Sequence, residues 1–217
     1  MSAAAWLRRD PYTGASMVRP VDGLTDADHA YITAIPRRYG FHAALKPVFD
    51  LAPSRTLHEL ERWLDSFVAS IAPIEIEVGI ELIDNGFAIV ARRREPALDM
   101  LAARIVTEFD QFRVVHDNSE ITERDMSRLS GDELNNYINW GSPNVFDCFR
   151  FHMPLTNPVP RLEREHVKTV IERHFRPVIG APLIVGQLVL AVEPEPQAPF
   201  LVHSLHEFCV APQLRIA

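Results

Sequence analysis

From Thr56 onward the apolar positions Leu57, Leu60, Leu64, Phe67, Val68 and Ile71 recur at three- and four-residue spacing, which predicts an amphipathic helix of about four turns with its stripe on a core. The period then changes. Ile74-Glu75-Ile76-Glu77-Val78 alternates as a half-buried strand, with Glu75 and Glu77 toward solvent, and Asp84-Asn85-Gly86 is a hairpin turn into the apolar run 87–91. Helical spacing returns at Leu98, Leu101, Ile105 and Phe109 behind Pro96, a residue suited to a helix start. Beyond it the pattern predicts extended chain over 112–115 and one or two helices over 121–140, broken at Gly131 and ended by Gly141-Ser142-Pro143-Asn144. A further helix is predicted over 162–175, then strands near 183–192 and 200–210 joined by the turn Glu193-Pro194-Glu195-Pro196. Near the start, 9–14 is a polar loop, and Thr25 caps a short helix that Pro36 should stop.

Two further segments read as strands, and each holds one histidine. Over 40–51, alternation puts Phe41, Ala43 and Leu45 on one face and His42, Ala44 and Lys46 on the other. Over 146–156, Phe151, Met153 and Leu155 look into a core and leave His152, Pro154 and Thr156 on the opposite face with Arg150. The order of histidine strand, helix, strand, strand therefore occurs twice. The expected architecture is α+β: one domain over 1–217, with two pseudo-symmetric lobes of mainly antiparallel sheet backed by helices at 37–95 and 146–217. A helical insertion occupies 96–145, and a cleft lies between the lobes.

Composition narrows the chemistry. At 217 residues, 47% hydrophobic and 24% charged, the chain is an ordinary globular protein. A net charge of −7 disfavours nucleic acid or an anionic membrane as partner, though it allows a local basic pocket. Cys148 and Cys209 are too few for a disulfide framework or a thiolate metal site and read as reduced core residues. The first ten residues lack the apolar run of an export signal, and the longest apolar tract, 181–192, is shorter than the roughly 20 residues a bilayer takes, so a cytoplasmic location is expected. His203 and His206 would face opposite sides of a strand and make no metal pair. His29, His58, His116, His166 and His174 sit in polar contexts that suggest the surface, and Arg92-Arg93-Arg94 reads as a solvated strand end. No P-loop, dinucleotide fingerprint or nucleophile elbow occurs. What remains is a pair of histidines with cationic neighbours, suited to acid/base chemistry on an anionic substrate and calling for neither metal nor cofactor.

The run Arg37-Arg38-Tyr39-Gly40-Phe41-His42-Ala43-Ala44-Leu45-Lys46-Pro47-Val48-Phe49 resembles the first motif of the two-histidine (2H) phosphoesterase superfamily, and specifically of its branch associated with phosphonate-metabolism operons. The second motif of that branch is similar to Trp140, Gly141, Pro143, Val145, Asp147 and the run Phe149-Arg150-Phe151-His152-Met153, with Leu155 and Thr156. Val192-Glu193-Pro194-Glu195-Pro196-Gln197-Ala198-Pro199-Phe200 matches a third. The resemblance spans nearly the whole chain. It implies a phosphodiesterase acting on a small cyclic phosphate ester, in which His42 and His152 exchange the roles of base and acid and Lys46, Arg150, Tyr39, Arg38 and Thr156 meet the anionic oxygens.

Three departures stand out. Ala44 and Pro154 occupy the places where the superfamily has a Thr or Ser that holds phosphate oxygens, each a loss comparable to deleting an oxyanion donor. Pro154 also removes a backbone N–H from a strand expected to be central. Relatives place an extra strand ahead of Ala5-Trp6-Leu7-Arg8-Arg9-Asp10, and its lack would leave a sheet edge open to dimerisation. The sequence thus supports three expectations: an enzyme, a phosphate-ester binding protein on the same fold without turnover, or a structural subunit.

Overall fold

The computed structural model describes residues 2–115 and 128–209. It divides into two compact units, one made of Met1–Ala43, Leu64–Arg93 and His152–Ala217, the other of Ala44–Trp63 and Arg94–Phe151.

Three short helices open the chain: α1 (Ser2–Leu7), α2 (Asp26–Ile32) and α3 (Ala34–Tyr39). Thr25 caps α2 as expected, its Oγ1 accepting from the Asp28 N–H at 3.1 Å. Pro36 does not end the helical chain; it sits in the first turn of α3, where a missing N–H leaves no intrahelical bond unmade. The predicted amphipathic helix is α4 (Leu57–Val68), whose Thr56 and Glu59 cap one another at 3.2 and 2.7 Å. Leu60, Leu64, Phe67 and Val68 are buried, with Ile71 just beyond.

The strands β1 (Ile74–Ile76), β2 (Val78–Ile83) and β3 (Gly86–Ala91) follow. Asp84 and Asn85 both take left-handed backbone, φ 48° and 67°, which a two-residue type I′ turn requires, and Ile83 pairs with Gly86 across it. Helix α5 (Pro96–Glu108) buries Leu98, Leu101 and Ile105 as predicted. Over 112–115 the extended chain begins at Arg113, after the 3-10 turn Asp110–Phe112, and Arg113 bridges to Leu51. Gly131 is the first residue of α6 (Gly131–Trp140), not a break within it; Ser130 caps that helix reciprocally with Glu133. The expected helix over 121–127 and His116 lie outside the described residues.

After β4 (His152–Pro154) come α7 (Arg164–Ile179), β5 (Leu183–Val185), β6 (Gln187–Val192) and β7 (Leu201–Glu207). Every strand pair among the described residues is antiparallel: β1 with β5, β2-β3-β4 in that order, and β6 with β7. The fold is α+β. As the middle strand of three, β3 is buried on both faces, which is why its apolar run does not alternate. Trp6, Ile89, Leu155, Ile171 and Phe175 are among the core of the first unit; Leu98, Val106, Phe112 and Val145 are among that of the second. No helix among the described residues is long and apolar enough to cross a membrane.

Four expectations are corrected. The first histidine segment is not a strand: α3 exits through Gly40 at φ 81°, and residues 41–50 run irregularly until Leu51 bridges to Arg113. Ala43 and Ala44 lack strand propensity, and Pro47 cannot donate to a ladder, so the alternation read over 40–51 has no sheet to express it. The second histidine strand shrinks to three residues, because Phe146, at φ 54°, opens the 3-10 turn Phe146–Cys148. That strand is also an edge strand, where Pro154 costs little, and not a central one. Finally, His29 is fully buried against Trp6, with ring centroids 4.9 Å apart, instead of lying on the surface.

Candidate functional site

The last turn of α3 carries Arg37, Arg38 and Tyr39, and Gly40 turns the chain so that His42 follows immediately. The His42 Nδ1 lies 3.0 Å from the Gly40 carbonyl oxygen. A carbonyl can only accept, so Nδ1 carries the proton and Nε2 keeps its lone pair. His152 opens β4, paired in register with Val90. Alternation holds here: Phe151 and Met153 are each 7% exposed and Leu155 is fully buried, while His152 and Pro154 are half-buried on the other face.

Both histidines belong to the first unit. Water reaches the His42 ring, yet the surrounding protein disfavours its charged form and lowers its pKa. The Gly40 carbonyl opposes this, and His152 lies close enough for its charge to lower the His42 pKa further. One imidazole therefore senses the other, and His42 is held toward the neutral form.

Arg38 and Tyr39 are part of a lattice that joins the first motif to the Pro-rich one. The Arg38 Nη2 donates to Glu193 Oε1 at 2.5 Å, and the Phe200 N–H donates to the Arg38 carbonyl at 2.9 Å. Tyr39 stacks on Phe200 at 5.3 Å, and the Arg38 guanidinium lies 5.3 and 5.8 Å from those two ring centroids. Glu193 and Phe200 carried no role in the sequence reading. The signal for them was the third motif.

The other candidate residues are placed differently. Thr156 is 6% exposed and its Oγ1 accepts from the Phe87 N–H at 2.8 Å, so the hydroxyl secures β3. Lys46, in the second unit, is held within that unit: its Nζ is 3.5 Å from Asp110 Oδ1 and donates to the Val106 carbonyl at 3.3 Å. Burial lowers the Lys46 pKa, against the opposing pull of Asp110. Arg150 is exposed in the second unit, as is Ala44. His203 is exposed and His206 buried on β7, consistent with opposite faces; His206 Nδ1 meets Asp65 Oδ1 at 2.6 Å and its Nε2 meets Ser204 Oγ at 2.9 Å.

Comparison with known proteins adds two findings. The profile of a family described as "Protein of unknown function (DUF1045)" matches residues 44–201. A protein named ribose 1,5-bisphosphate phosphokinase PhnN from Janthinobacterium sp. (strain Marseille) is 29% identical over 206 residues, covering 92% of this chain and 46% of the relative. One of the same name from Laribacter hongkongensis (strain HLHK9) is 29% identical over 216 residues, covering 91% of this chain and 45% of the relative. The chain spans about half the length of the curated relatives it matches.

Proposed function

We propose that this chain, which belongs to the DUF1045 family, is a two-histidine phosphodiesterase that opens a small cyclic phosphodiester of a phosphorylated ribose, within phosphonate breakdown. The observation that carries the reading is that the histidines of two separate motifs, His42 and His152, lie in one unit and near enough for the charge of His152 to lower the His42 pKa. The contact of His42 Nδ1 with the Gly40 carbonyl supports one assignment of their roles. Neutral His42, its Nδ1–H on Gly40, offers Nε2 as the base that takes a proton from water as the water oxygen attacks phosphorus. The bond from phosphorus to one ring oxygen breaks, and protonated His152 gives its proton to the leaving alkoxide. The product is a phosphomonoester, and both rings regain their starting states by proton exchange with solvent.

The substrate class is argued from the relatives. Those relatives are named as a ribose 1,5-bisphosphate phosphokinase, while this chain contains no P-loop, so the kinase chemistry is assigned to the part of those proteins beyond the match. A phosphodiesterase joined to such a kinase is useful if it supplies the bisphosphate. Hydrolysis of a cyclic phosphate that bridges C1 and a neighbouring hydroxyl of ribose 5-phosphate does so, provided the bond to the neighbouring oxygen is the one cleaved. The motif resemblance to the phosphonate-operon branch supports the same setting.

A second reading, a binding protein without turnover, is favoured by one observation: Ala44 and Pro154 supply no hydroxyl where the superfamily has one. Phosphorus NMR separates the two. Incubation with a panel of ribose and nucleoside cyclic phosphates should give new phosphomonoester resonances that His42→Ala and His152→Ala abolish. Ligand line broadening without a new resonance would identify the binder, and neither effect would leave only the fold.

A further inference from the structure

Arg9 is a buried cation with little to hold it. Its side chain is on a residue only 6% exposed, and its Nη2 donates to the Phe200 carbonyl at 2.5 Å. Its Nε and Nη1 are buried and have no hydrogen-bond partner among the described residues. The adjacent Asp10 does not neutralise it by contact: Asp10 Oδ1 accepts from the Tyr12 and Thr13 N–H groups at 2.9 and 2.8 Å and from the Thr13 hydroxyl at 3.0 Å, fixing its own turn. Burial lowers the Arg9 pKa, with Asp10 the one opposing charge. Buried guanidinium groups are ordinarily paired with an anion, because leaving the charge and its donors unmet is costly.

The place of this cation relative to the histidines gives it meaning. A Cβ built on Gly40 would lie 3.3 Å from the Arg9 Nη2, so the guanidinium packs against the residue whose carbonyl holds His42. Arg38, whose guanidinium lies 5.8 Å from the Phe200 ring centroid, also has a buried Nε without a partner among the described residues. Two incompletely satisfied guanidinium groups thus contact one phenylalanine, and one of them packs on the glycine that holds His42, all within one unit.

We propose that Arg9, with Arg38 as its neighbour, is the subsite for a second anionic group of the substrate, a terminal phosphate monoester such as the 5-phosphate of a ribose, distinct from the phosphodiester that the histidines open. This rests on the function proposed above for its substrate class but not for its binding test. The unmet Nε–H and Nη1–H donors lie on different edges of the guanidinium, and with its charge they call for an anionic acceptor, for which guanidinium is better suited than ammonium when that acceptor is a phosphate. Because those nitrogens are shielded from water, binding requires the guanidinium or the residues packed over it to move far enough to admit the anion.

The test uses ribose 5-phosphate, with ribose and inorganic phosphate as controls, in calorimetric and thermal-shift titrations of the full chain, Arg9→Met, Arg9→Lys and His42→Ala. Ribose 5-phosphate should bind saturably to the wild type and to His42→Ala. Affinity should fall by roughly 10- to 100-fold in Arg9→Met, the loss expected for a charge-assisted bond. Arg9→Met should itself melt no lower than wild type without ligand, since it removes an uncompensated buried charge. Arg9→Lys, which keeps the charge but loses the planar guanidinium and its several donors, should fall between. No binding by the wild type, or equal affinity in the wild type and in either Arg9 variant, overturns the proposal; should Arg9→Met fail to fold, the Arg9→Lys comparison decides alone. Binding through Arg9 without any cyclic-phosphate turnover would sink the proposed reaction and leave the subsite. Turnover of cyclic phosphates with no gain from a 5-phosphate would sink the subsite and leave the reaction.

Discussion

The Arg38 guanidinium meets the Glu193 carboxylate at 2.5 Å, and this ion pair joins the turn that leads to His42 to the Glu-Pro-Glu-Pro turn 155 residues later in the chain. Both side chains keep contact with water, Arg38 at 36% and Glu193 at 25% exposure, so the pair contributes little to stability, about 1 kcal/mol at most. Its effect is on position. Arg38 is the second residue before Gly40, and its backbone carbonyl accepts from Phe200, so a shift of Arg38 is carried to the carbonyl that orients the His42 ring.

Glu193→Gln should therefore change the melting temperature only slightly while lowering turnover of a cyclic phosphate at least about tenfold, with the loss in kcat rather than in KM. Stopped assays with phosphorus NMR readout measure this directly. A variant that is destabilised and inactive in proportion would show the pair to be purely structural.

His29 gives the molecule an acid-labile point. It is fully buried, 4.9 Å from the Trp6 ring, and burial first, then the charges of Arg8, Arg37 and His174, push its pKa down to about 4. The folded state therefore holds the neutral ring, whereas the unfolded chain takes a proton near the ordinary value of 6.5. With the folded pKa depressed, the unfolded state binds more protons between those values, so stability is full above about pH 6.5 and declines as pH falls toward 4. At pH 5 the loss should be about 2 kcal/mol relative to pH 7. Urea unfolding at the two pH values checks it. His29→Leu, which cannot titrate, should show a shallower slope over that interval than wild type.

Periodic elements were legible because their signal is local. The stripe of α4 and the Asp84-Asn85-Gly86 turn were expressed as read, each resting on contacts within a few residues, while the alternation around His152 held over 151–155 because β4 finds β3 to pair with. Segment 40–51 was not, since alternation of small and apolar residues has no effect without a strand to pair with, and pairing is decided at long range. The same distance effect hid Thr156, whose hydroxyl meets a backbone group 69 residues away, and His29, whose polar neighbours in sequence are not its neighbours in space. It also hid Lys46, whose partner Asp110 lies in a different helical segment. The motif resemblance suggested a chemistry but could not say that Arg38 and Tyr39 lean on Glu193 and Phe200.

Thr156 tests how far the motif reading should be trusted residue by residue. Its Oγ1 accepts the Phe87 N–H, and its own N–H reaches the Phe87 carbonyl at 3.2 Å. Removing the hydroxyl leaves a buried donor without an acceptor, a cost of about 1–3 kcal/mol. Thr156→Val should lower stability by that amount, and Thr156→Ser should restore most of it. Chemical denaturation of both variants measures the difference; an unaltered midpoint for Thr156→Val would show that the bond contributes nothing.

Pro154 offers the sharpest test of the missing hydroxyls. It sits on the edge strand β4, opposite Ala88 and two residues after His152, so it lies on the same face as that histidine. An edge position tolerates proline and equally tolerates its replacement, because no partner strand among the described residues stands on the outer side. Pro154→Thr should therefore fold as well as wild type, and it returns a hydroxyl to the place where the superfamily has one. If phosphorus oxygens are bound beside His152, turnover should rise, by up to the roughly 100- to 1,000-fold that a single oxyanion donor supplies. A Pro154→Thr protein that folds and binds a cyclic phosphate but turns it over no faster would mean that the substrate phosphorus does not sit beside His152.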